Sequence, residues 1–393
     1  MDLKKTREDF PILKKGIIYF DNACNSLKPL QVINKISEYY QDYPACAGRS
    51  IHQLSKRTTE EISNSRRKIR KFFNASKDEE IIFTKNTTEA INLLSNTLNL
   101  KKDNIILTTD KVHNSNLLPW QKFKVQPINT TPEFDLKDFS EKINTASLVA
   151  IQHTSNLDGT STPLKEIIKI AHEHNVRVLV DGAQSAPHKE INLKKLDADF
   201  FVCSGHKMLG PSATGILYGK LHLLDEIPPF LLGGETVEDS TYENFKLAEV
   251  PHKFEAGLQN YAGIIGLGSA IDYLDKLGMK NISEHELKLN KFLTESLAPE
   301  ITTKNIQLLG PHNSELRSGI FSFNIKNMDS HSVAIMLDQT DNICIRSGAH
   351  CVHSWFNKHN LKGSARASLY FYNTQEECER FIISLRKIIE LNS

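Results

Sequence analysis

The middle of the sequence alternates short runs of β-branched and aromatic residues with a stretch that repeats apolar residues at helical spacing. The strand candidates are NIILTT (104–109), SLVAIQ (147–152), VRVLVD (176–181) and DFFVCS (199–204). TPLKEIIKIAHEHN (162–175), which lies between two of them, has the period of an amphipathic helix. A strand, a helix and a further strand in this order form a βαβ unit. The alternation therefore predicts an α/β fold with a mostly parallel sheet and helices on both faces.

The pattern changes after about residue 260, where long helical stretches and strands of antiparallel type follow. These segments are GIFSFNI (319–325), NICIRS (342–347) and EECERFIISLRKIIEL (376–391). We therefore expect a large domain over residues 19–260, a smaller α+β domain over residues 261–393, and an N-terminal segment over residues 1–18 that packs on the small domain. The boundary is placed at the glycine-rich NYAGIIGLGSAI (260–271), although close helix packing equally explains its glycines.

Charge and cysteine content limit the partners that the chain is expected to have. Lysine plus arginine number 48 and aspartate plus glutamate 47, so the basic excess that attracts nucleic acids or anionic membranes is missing. No stretch of about 18 or more consecutive apolar residues predicts a membrane span. Six cysteines are scattered without a C-x-x-C pair, and the charged start of the chain does not resemble a signal peptide. We expect a cytoplasmic protein with reduced thiols.

Polar residues follow every strand candidate, at the place where open α/β sheets bind ligands. In such sheets, the binding crevice lies beyond the carboxyl ends of the strands. The polar residues in these positions are His113, Asn156, Asp181, Gln184, Ser204, His206 and Lys207. The sequence therefore predicts a ligand site at this edge of the sheet.

Lys207 and Asp181 together indicate which ligand this is. A lone lysine in SGHKMLGP (204–211) is most simply a surface residue, but a desolvated lysine also forms Schiff bases with aldehydes. Asp181 ends a buried strand, where its charge needs a partner unless it caps a helix. A protonated pyridine nitrogen is such a partner, and pyridoxal phosphate enzymes combine it with a Schiff-base lysine. The combination favours pyridoxal 5'-phosphate as cofactor.

Further residues are suited to the phosphate and the ring of this cofactor. FTKNTTEAINLL (83–94) supplies hydroxyl and free backbone N–H groups at the start of a helical pattern, although a simple N-cap followed by glutamate is the alternative. The polar residues after the fourth strand would add donors from the other side. His113 would lie against the ring, or serve as an ordinary loop histidine. Asn156 and Gln184 would bond the ring hydroxyl, although both residue types are frequent in turns.

Eight segments carry a resemblance to a known family. They are YFDNACNSLKP, FTKNTTEAINL, VHNSNLLPWQ, TSNLDGT, DGAQSAPH, DADFFVCSGHKMLGP, FEAG and RASLYFYNTQEE. In this order they resemble successive motifs of the class V aminotransferase family, and they are most similar to the SufS-type cysteine desulfurases, a group that includes selenocysteine lyases. The similarity runs from about Tyr19 to Ile389. A single motif such as DGAQ is weak, but eight in order are highly specific.

The resemblance implies a pyridoxal-phosphate-dependent transferase of fold type I, aspartate aminotransferase-like, that forms a homodimer with its sites at the subunit interface. The implied cofactor-binding residues are Thr88, His113, Asn156, Asp181, Gln184, Ser204, His206 and Lys207. The implied substrate-binding residues are Asn156, Arg346, Arg366 and, from the other subunit, Arg49. Arg366 would grip the substrate carboxylate, because a guanidinium offers a bidentate fork that lysine lacks. For Arg346 and Arg49, a surface salt bridge is the alternative.

RSGAHCVHSWF (346–356) places a single thiol, Cys351, between two histidines. In the SufS-type group the nucleophilic cysteine follows a histidine and precedes the carboxylate-binding arginine, as Cys351 precedes Arg366. A zinc site is the weaker alternative. Structural zinc takes four ligands, and His350, Cys351 and His353 lie too close in sequence to surround one tetrahedral ion easily. A core thiol fits Cys203 and Cys344, which lie in apolar strand candidates, better than a cysteine in a polar loop. The implied catalytic residues are Lys207, Cys351 and His113.

The implied reaction converts L-cysteine, or L-selenocysteine, to L-alanine. Lys207 would act as general base on the α-carbon, and the Cys351 thiolate, favoured by Arg346 and His350, would take the sulfur as a persulfide. The sulfur would serve iron–sulfur cluster or other cofactor assembly through a SufE-like protein, a scaffold or a small thiol. The alternatives are a lyase or aminotransferase that does not need Cys351, and an inactive sulfur-delivery scaffold.

Four positions depart from the family pattern. Ala349 stands where a second histidine is usual, and Leu258 where a threonine would reach the phosphate of the other subunit. Either Gln259 or Asn260 substitutes for the threonine, or the phosphate has one donor fewer. Cys24 stands where a small residue is usual, and is either a second thiol that receives sulfur or an incidental small side chain. Cys46 is likewise either a second thiol that receives sulfur or an incidental small side chain.

Overall fold

A computed structural model describes residues 2–48, 50–131 and 133–392 of the chain. Its strands, β1 to β15, are Ile18–Tyr19, Ile81–Thr84, Ile105–Thr109, Lys124–Ile128, Ala146–Gln152, Arg177–Asp181, Phe200–Ser204, Gly215–Gly219, Val237–Ser240, Phe245–Leu247, Ile306–Leu309, Ile320–Ile325, Ile343–Cys344, Arg346–Gly348 and Ser364–Ser368. Its helices, α1 to α14, are Leu3–Glu8, Leu30–Asp42, Gln53–Phe72, Thr87–Thr97, Leu136–Lys142, Leu164–Glu173, Leu193–Leu196, Leu221–Glu226, Tyr261–Leu277, Met279–Ser296, Ala298–Thr302, Ser330–Asp341, His353–Lys358 and Gln375–Leu391. None of the described helices is long and apolar enough to cross a membrane.

Seven of the described strands form one sheet in the order β2-β8-β7-β6-β5-β3-β4. The strands β7, β6, β5, β3 and β4 run parallel, whereas β8 is antiparallel to both of its neighbours. The central strands β6, β7 and β8 are nearly continuous apolar runs because both faces of the sheet are covered. The α/β prediction is confirmed. All four strand candidates, and the helix between two of them, are found within two residues of their predicted bounds.

Helix α9 contains the glycine-rich stretch and packs against α2 and α3. A Cβ at Gly266 would lie 2.8 Å from Cγ1 of Ile36 on α2, so glycine allows the two helices to approach closely. Ile264 and Leu267 of the same helix share a core with the large sheet. Close helix packing therefore accounts for the glycines, and the domain boundary near residue 260 stays a prediction.

A second, antiparallel sheet has the order β11-β12-β15-β14 and is covered by α10, α12 and α14. The predicted strand at 319–325 and the last helix are confirmed, and Phe321 and Phe323 of β12 share an apolar core with Phe381 of α14. NICIRS, predicted as one strand, forms two. β13 pairs with β1 and β14 pairs with β15, because the chain passes from one sheet to the other between them.

The two cysteines expected in the core differ in burial. Cys203 on β7 is fully buried, so the prediction is confirmed there. Cys344 is only partly buried, and its Sγ lies 3.9 Å from Oδ1 of Asp338. The prediction of a core thiol is wrong for Cys344, because β13 is a two-residue strand paired with β1 alone.

The N-terminal segment touches the small sheet and its helices. Arg7 of α1 donates to the carboxylate of Glu377 on α14 over 2.7 Å. After β1 has paired with β13, Asp21 forms an isolated bridge with Ser368 at the end of β15. Residues 21–26 therefore lie between the two sheets, next to the carboxyl ends of the parallel strands.

Candidate active site

A cavity of about 250 Å³ lies where the carboxyl ends of β5, β6 and β7 meet the small domain. It is lined by eleven of the twelve predicted site residues, namely Thr88, His113, Asn156, Asp181, Gln184, Ser204, His206, Lys207, Arg346, Cys351 and Arg366. The twelfth, Arg49, lies outside the described residues. We call one side the cofactor wall, which comprises Thr88, His113, Asp181, Gln184, Ser204, His206 and Lys207. The other side, the thiol wall, comprises Arg346, His350, Cys351 and Arg366.

Asp181 and Lys207 follow adjacent strands of the sheet. Asp181 ends β6, and its Oδ1 accepts the backbone N–H of Ala183 over 3.0 Å. Loss of hydration lowers the pKa of Lys207, although the negative charge of Asp181 acts in the opposite direction. Burial raises the pKa of Asp181. A buried carboxylate keeps its charge only beside a cation, such as a protonated pyridine nitrogen. A lysine with a lowered pKa is suited to Schiff-base formation.

The backbone before Lys207 is held by Ser26 and Lys28, which follow β1. The carbonyl of His206 accepts the N–H of Ser26 over 3.1 Å, its hydroxyl over 3.0 Å, and the Nζ of Lys28 over 2.9 Å. Burial lowers the pKa of Lys28 to about 7. Three donors on one carbonyl fix the turn that presents Lys207 to the cavity. Sequence reasoning did not single out Ser26 or Lys28, because their partner lies far along the chain.

The start of helix α4 forms one end of the cavity. Asn86 caps this helix by accepting the N–H of Glu89 over 2.9 Å, and Asn86, Thr87 and Thr88 line this end of the cavity. Gly215 of β8 lets the backbone of Asn86 lie against the sheet, because a Cβ there would be 2.6 Å from the Cα of Asn86. Such a helix start is suited to a phosphate.

Hydroxyl groups surround the same helix start. Ser204 Oγ lies 2.7 Å from the Thr87 hydroxyl and accepts the Thr87 N–H over 3.0 Å. The Thr88 hydroxyl lies 2.7 Å from that of Ser115. Thr87 and Ser115 also line the cavity. Thr87 belongs to the pair of threonines that the sequence predicts at the helix N-terminus, whereas Ser115 was missed because it follows an irregular segment and gives no such signal.

The two histidines of the cofactor wall are neutral. Nδ1 of His113 accepts the N–H of Ser115 over 3.0 Å, which fixes the ring at the start of a short 3-10 turn. Loss of hydration, reinforced by the charge of Lys207, lowers the pKa of His113 to about 3 and that of His206 to about 4. A neutral imidazole can lie against a cationic ring without charge repulsion.

Gln184 and Asn156 both line the cavity through polar side chains. Gln184 donates Nε2 to the carbonyl of Ala23 over 2.7 Å, and its Oε1 has no hydrogen-bond partner among the described residues. A buried acceptor left alone costs about 1–3 kcal/mol, so Oε1 is suited to a ring hydroxyl. Asn156 instead donates Nδ2 to the carbonyl of His350 over 2.7 Å. With Asp181 for the ring nitrogen and Lys207 for the aldehyde, these residues fit pyridoxal phosphate.

Two arginines of the thiol wall stand side by side with one carboxylate between them. Arg346 of β14 and Arg366 of β15 are paired in register. Asp21 lies 3.9 Å from Nη1 of Arg346 and 3.7 Å from Nη2 of Arg366. Arg366 is buried and donates Nη1 to the carbonyl of Asn156 over 2.7 Å, whereas its Nε has no partner in the described part of the chain. Asp21, which sequence reasoning missed, keeps the two cations together.

Cys351 lies exposed at the tip of a loop whose backbone is fixed on two sides. His350 and Cys351 have φ values of 49° and 58°, so both are left-handed. The carbonyl of Cys351 accepts the N–H of Asn114 over 2.7 Å, and that of His350 accepts the amide of Asn156. No group of three or more His, Cys, Asp or Glu side chains within the described ranges could hold a metal ion.

His350 does not have the place expected of it. Its Nε2 lies 2.9 Å from the hydroxyl of Ser364, and burial, together with the charges of Arg366 and Arg346, lowers the pKa of His350 to about 2. A neutral ring carries no charge that could favour a thiolate, so the help expected from His350 stays a prediction and would have to come from proton transfer rather than from charge. Arg346 Nη1 makes its sulfur contact with Cys24, over 3.6 Å.

The chain is similar to known proteins over nearly its whole length. The family model Aminotransferase class-V matches residues 18–381. A probable cysteine desulfurase of Synechocystis sp. is 41% identical over 405 residues, which cover 98% of this chain and 96% of that protein. The apo structure of a cysteine desulfurase from Thermococcus onnurineus NA1 is 39% identical, with a TM-score of 0.94 and 98% of each chain covered. The cysteine desulfurase CsdA from Escherichia coli is 28% identical, with a TM-score of 0.91 and coverage of 100% of this chain and 99% of that chain.

Proposed function

The chain belongs to the class V aminotransferase family, and from that premise we propose that it is a pyridoxal-phosphate-dependent cysteine desulfurase. The reaction converts L-cysteine to L-alanine and leaves the sulfur on Cys351 as a persulfide. The observation that carries the proposal is a single cavity that combines Lys207, Asp181 and Arg366 with an exposed thiol. A lyase or an aminotransferase needs the first three groups but has no use for Cys351.

Arg366 would bind the substrate carboxylate. Its Nη1 is committed to the carbonyl of Asn156, its Nη2 lies 3.7 Å from Asp21, and its Nε is without a partner among the described residues. The edge formed by Nε and Nη2 is therefore the one that a carboxylate can approach with two parallel hydrogen bonds. This grip orients L-cysteine with its α-carbon toward the cofactor wall and its thiol toward Cys351.

Pyridoxal phosphate, when bound, supplies an electron-withdrawing ring that stabilises negative charge at the α-carbon of the substrate. Asp181 would hold its ring nitrogen, Lys207 its aldehyde, and the start of α4 with Ser204 its phosphate. The amine of Lys207, whose pKa is lowered by loss of hydration, then takes the proton from the α-carbon. The neutral ring of His113 stays in place because Ser115 donates to its Nδ1.

Cys351 performs the sulfur step. Its thiolate attacks the substrate sulfur, an S–S bond forms, and the bond between Cβ and sulfur breaks. The electron pair of that bond stays on the substrate carbon, which takes up a proton and leaves as L-alanine. Enzyme thiol and L-cysteine thus give enzyme persulfide and L-alanine, and no external oxidant is required. Because Cys351 is exposed, an acceptor thiol can reach the persulfide.

The variant Cys351→Ala tests the proposal. Alanine formation from L-cysteine should fall by at least about 10²-fold, because the sulfur acceptor is removed. The persulfide, trapped by alkylation, should be found by mass spectrometry on the Cys351 peptide of the wild type. Cys46→Ala, which changes an exposed thiol that is not among the cavity residues, is the matched control and should behave as wild type. Equal turnover of L-cysteine by Cys351→Ala and wild type would refute the proposal.

We propose further that the enzyme is a homodimer of the cytoplasm and that it passes sulfur to a SufE-like protein, an iron–sulfur scaffold or a small thiol. Large apolar side chains are exposed between residues 228 and 260, where a second copy would bury them. They are Phe230, Leu231, Leu232, Tyr242, Phe245 and Leu258. All six cysteines are described and are free thiols, as is usual in a reducing compartment. Light scattering checks the assembly, and a monomer at assay concentration would contradict it.

A further inference from the structure

A buried ion pair lies beside the cavity. Nζ of Lys111 is 2.6 Å from Oδ2 of Asp158, and the two side chains are 3% and 1% exposed. Lys111 also donates to the carbonyl of Thr130 over 3.1 Å, and Asp158 Oδ1 accepts the N–H and the hydroxyl of Thr160 over 3.2 and 2.8 Å. Burial alone would raise the pKa of Asp158, but Lys111 and Thr160 hold it below its usual value. The carboxylate of Asp158 is therefore favoured in its charged form, and both partners are hydrogen-bonded.

The two partners stand on two loops that carry residues of the site. Lys111 follows β3 and comes two positions before His113. Asp158 follows β5 and comes two positions after Asn156. Because β3 and β5 are adjacent parallel strands, both loops leave the same edge of the sheet. The ion pair thus joins them at their base.

Each of these loops holds one carbonyl of the thiol wall. The N–H of Asn114 donates to the carbonyl of Cys351, and the amide of Asn156 donates to the carbonyl of His350, both over 2.7 Å. His350 and Cys351 are consecutive left-handed residues, a conformation that costs about 1–2 kcal/mol for each residue that is not glycine. External bonds are therefore needed to keep this backbone in place, and these two come from the joined loops.

We propose that the Lys111–Asp158 pair positions the sulfur-accepting thiol by setting the separation of the two loops that hold the backbone of His350 and Cys351. The inference rests on the proposed function. Removing one partner would leave a buried charge that draws water into the gap and pushes the loops apart. Neither residue contacts the substrate in this arrangement, so both are positioning residues rather than catalytic ones.

Lys111→Met and Asp158→Asn test the inference. For each, kcat for alanine formation per cofactor-loaded site should fall about 10- to 100-fold, because a shift of about 1 Å at a reacting atom has effects of this size. For Lys111→Met the KM for L-cysteine should change less than about 3-fold, because the carbonyl that holds Arg366 is on the other loop. Hydrogen exchange at the Asn114 amide should be at least about 10-fold faster, since its bond to Cys351 is weakened.

Lys220→Met is the matched control. It breaks the ion pairs of Lys220 with Asp197 (2.8 Å) and Asp199 (3.0 Å), which lie just before β7, at the opposite end of the sheet from the cavity. The control should lower stability while kcat per loaded site and exchange at Asn114 remain those of the wild type. If Lys111→Met and Asp158→Asn behave as this control does, the pair is merely structural and the inference is overturned.

A double variant shows whether Lys111 and Asp158 act together as a pair or independently of each other. Lys111→Met with Asp158→Leu removes both charges and lets apolar side chains close the gap, so kcat should recover to within about 3-fold of the wild type. A double variant as slow as the slower single one would overturn the inference. If neither single variant folds, Lys111→Arg is the deciding variant, because it keeps the positive charge but places a bulkier group between the two loops. An unchanged kcat together with unchanged hydrogen exchange at Asn114 would then overturn the inference.

The failure of the proposed function would look different. A wild-type protein that forms no alanine from L-cysteine defeats the desulfurase proposal, whereas hydrogen exchange at Asn114 still measures whether the pair holds the Cys351 loop.

Discussion

The two walls of the cavity are built in different ways. Five of the seven residues of the cofactor wall end or follow β6 and β7, strands that are bonded to neighbours on both sides within the seven-stranded sheet. In the thiol wall, Arg366 lies on β15, but Arg346 lies on β14, a three-residue strand at the edge of the small sheet. His350 and Cys351 lie on a loop and are consecutive left-handed residues. The carbonyls of that loop are held by Asn114 and Asn156 from across the cavity. Cofactor binding is thus set mainly by the large sheet, whereas the place of the thiol is set by hydrogen bonds from loops across the cavity.

The largest loss of activity is expected from a substitution in the cofactor wall. Lys207→Ala removes the amine that would hold the cofactor and take the α-proton, so alanine formation should fall at least about 10³-fold. Cys351→Ala, the corresponding change in the thiol wall, should keep the absorbance of the bound cofactor. Turnover assays with L-cysteine and absorbance spectra of both proteins check this. Loss of the cofactor from Cys351→Ala would contradict the division of labour between the walls.

A smaller effect is expected within the thiol wall, where the two arginines differ in burial. Arg366 is buried, and Arg366→Lys should raise the KM for L-cysteine about 10- to 100-fold, because lysine cannot form the bidentate grip. The side chain of Arg346 is 48% exposed, and Arg346→Lys should change KM by about 3-fold or less. Steady-state kinetics measure both. Equal increases would show that the arginines share the carboxylate.

Much of the cofactor wall could be predicted because its residues follow strands that are visible in the sequence. Asp181 and Ser204 end continuous apolar runs, and the carboxyl ends of parallel strands meet at one edge of the sheet. The start of α4 was visible as threonines before a helical pattern. Ser115 was missed, because the segment after His113 is irregular and its approach to Thr88 depends on the folded chain.

The thiol wall could be predicted only in part. Cys351 stands out by its neighbours, but its left-handed backbone is not expected of a residue other than glycine. The burial of His350 depends on its contact with Ser364 in β15, which no local pattern indicates. Lys111 and Asp158 look like ordinary loop charges, and a contact between residues 47 positions apart leaves no local signal.

The next prediction tests whether both walls contribute to acid sensitivity, since each holds at least one neutral histidine ring, half-buried at His113 and buried at His350. The pKa is lowered to about 3 for His113 and about 2 for His350, so in the unfolded chain each takes up a proton below about pH 6.5 that it does not take up in the folded state. Stability therefore falls with falling pH, by about 1.4 kcal/mol per histidine between pH 8 and pH 5.5.

Urea unfolding at the two pH values measures this loss of stability. His350→Gln should reduce it by about 1 kcal/mol, while His174→Gln, which changes an exposed ring, should leave it unchanged. An equal loss in His350→Gln and wild type would contradict the neutral state of His350.

The smallest effect is expected at Cys24, where the two walls meet. Its N–H donates to the carbonyl of Asp21 over 3.1 Å, and its Sγ lies 3.6 Å from Nη1 of Arg346. Cys351 is exposed whereas Cys24 is partly buried, so sulfur should be found on Cys351 alone. Cys24→Ser, a nearly isosteric change, should keep kcat within about 2-fold. Alkylation after a pulse of L-cysteine, followed by peptide mass spectrometry, locates the persulfide. A persulfide on Cys24 that disappears in Cys351→Ala would make Cys24 a second acceptor, and the thiol function would then be shared by both sides of the cavity.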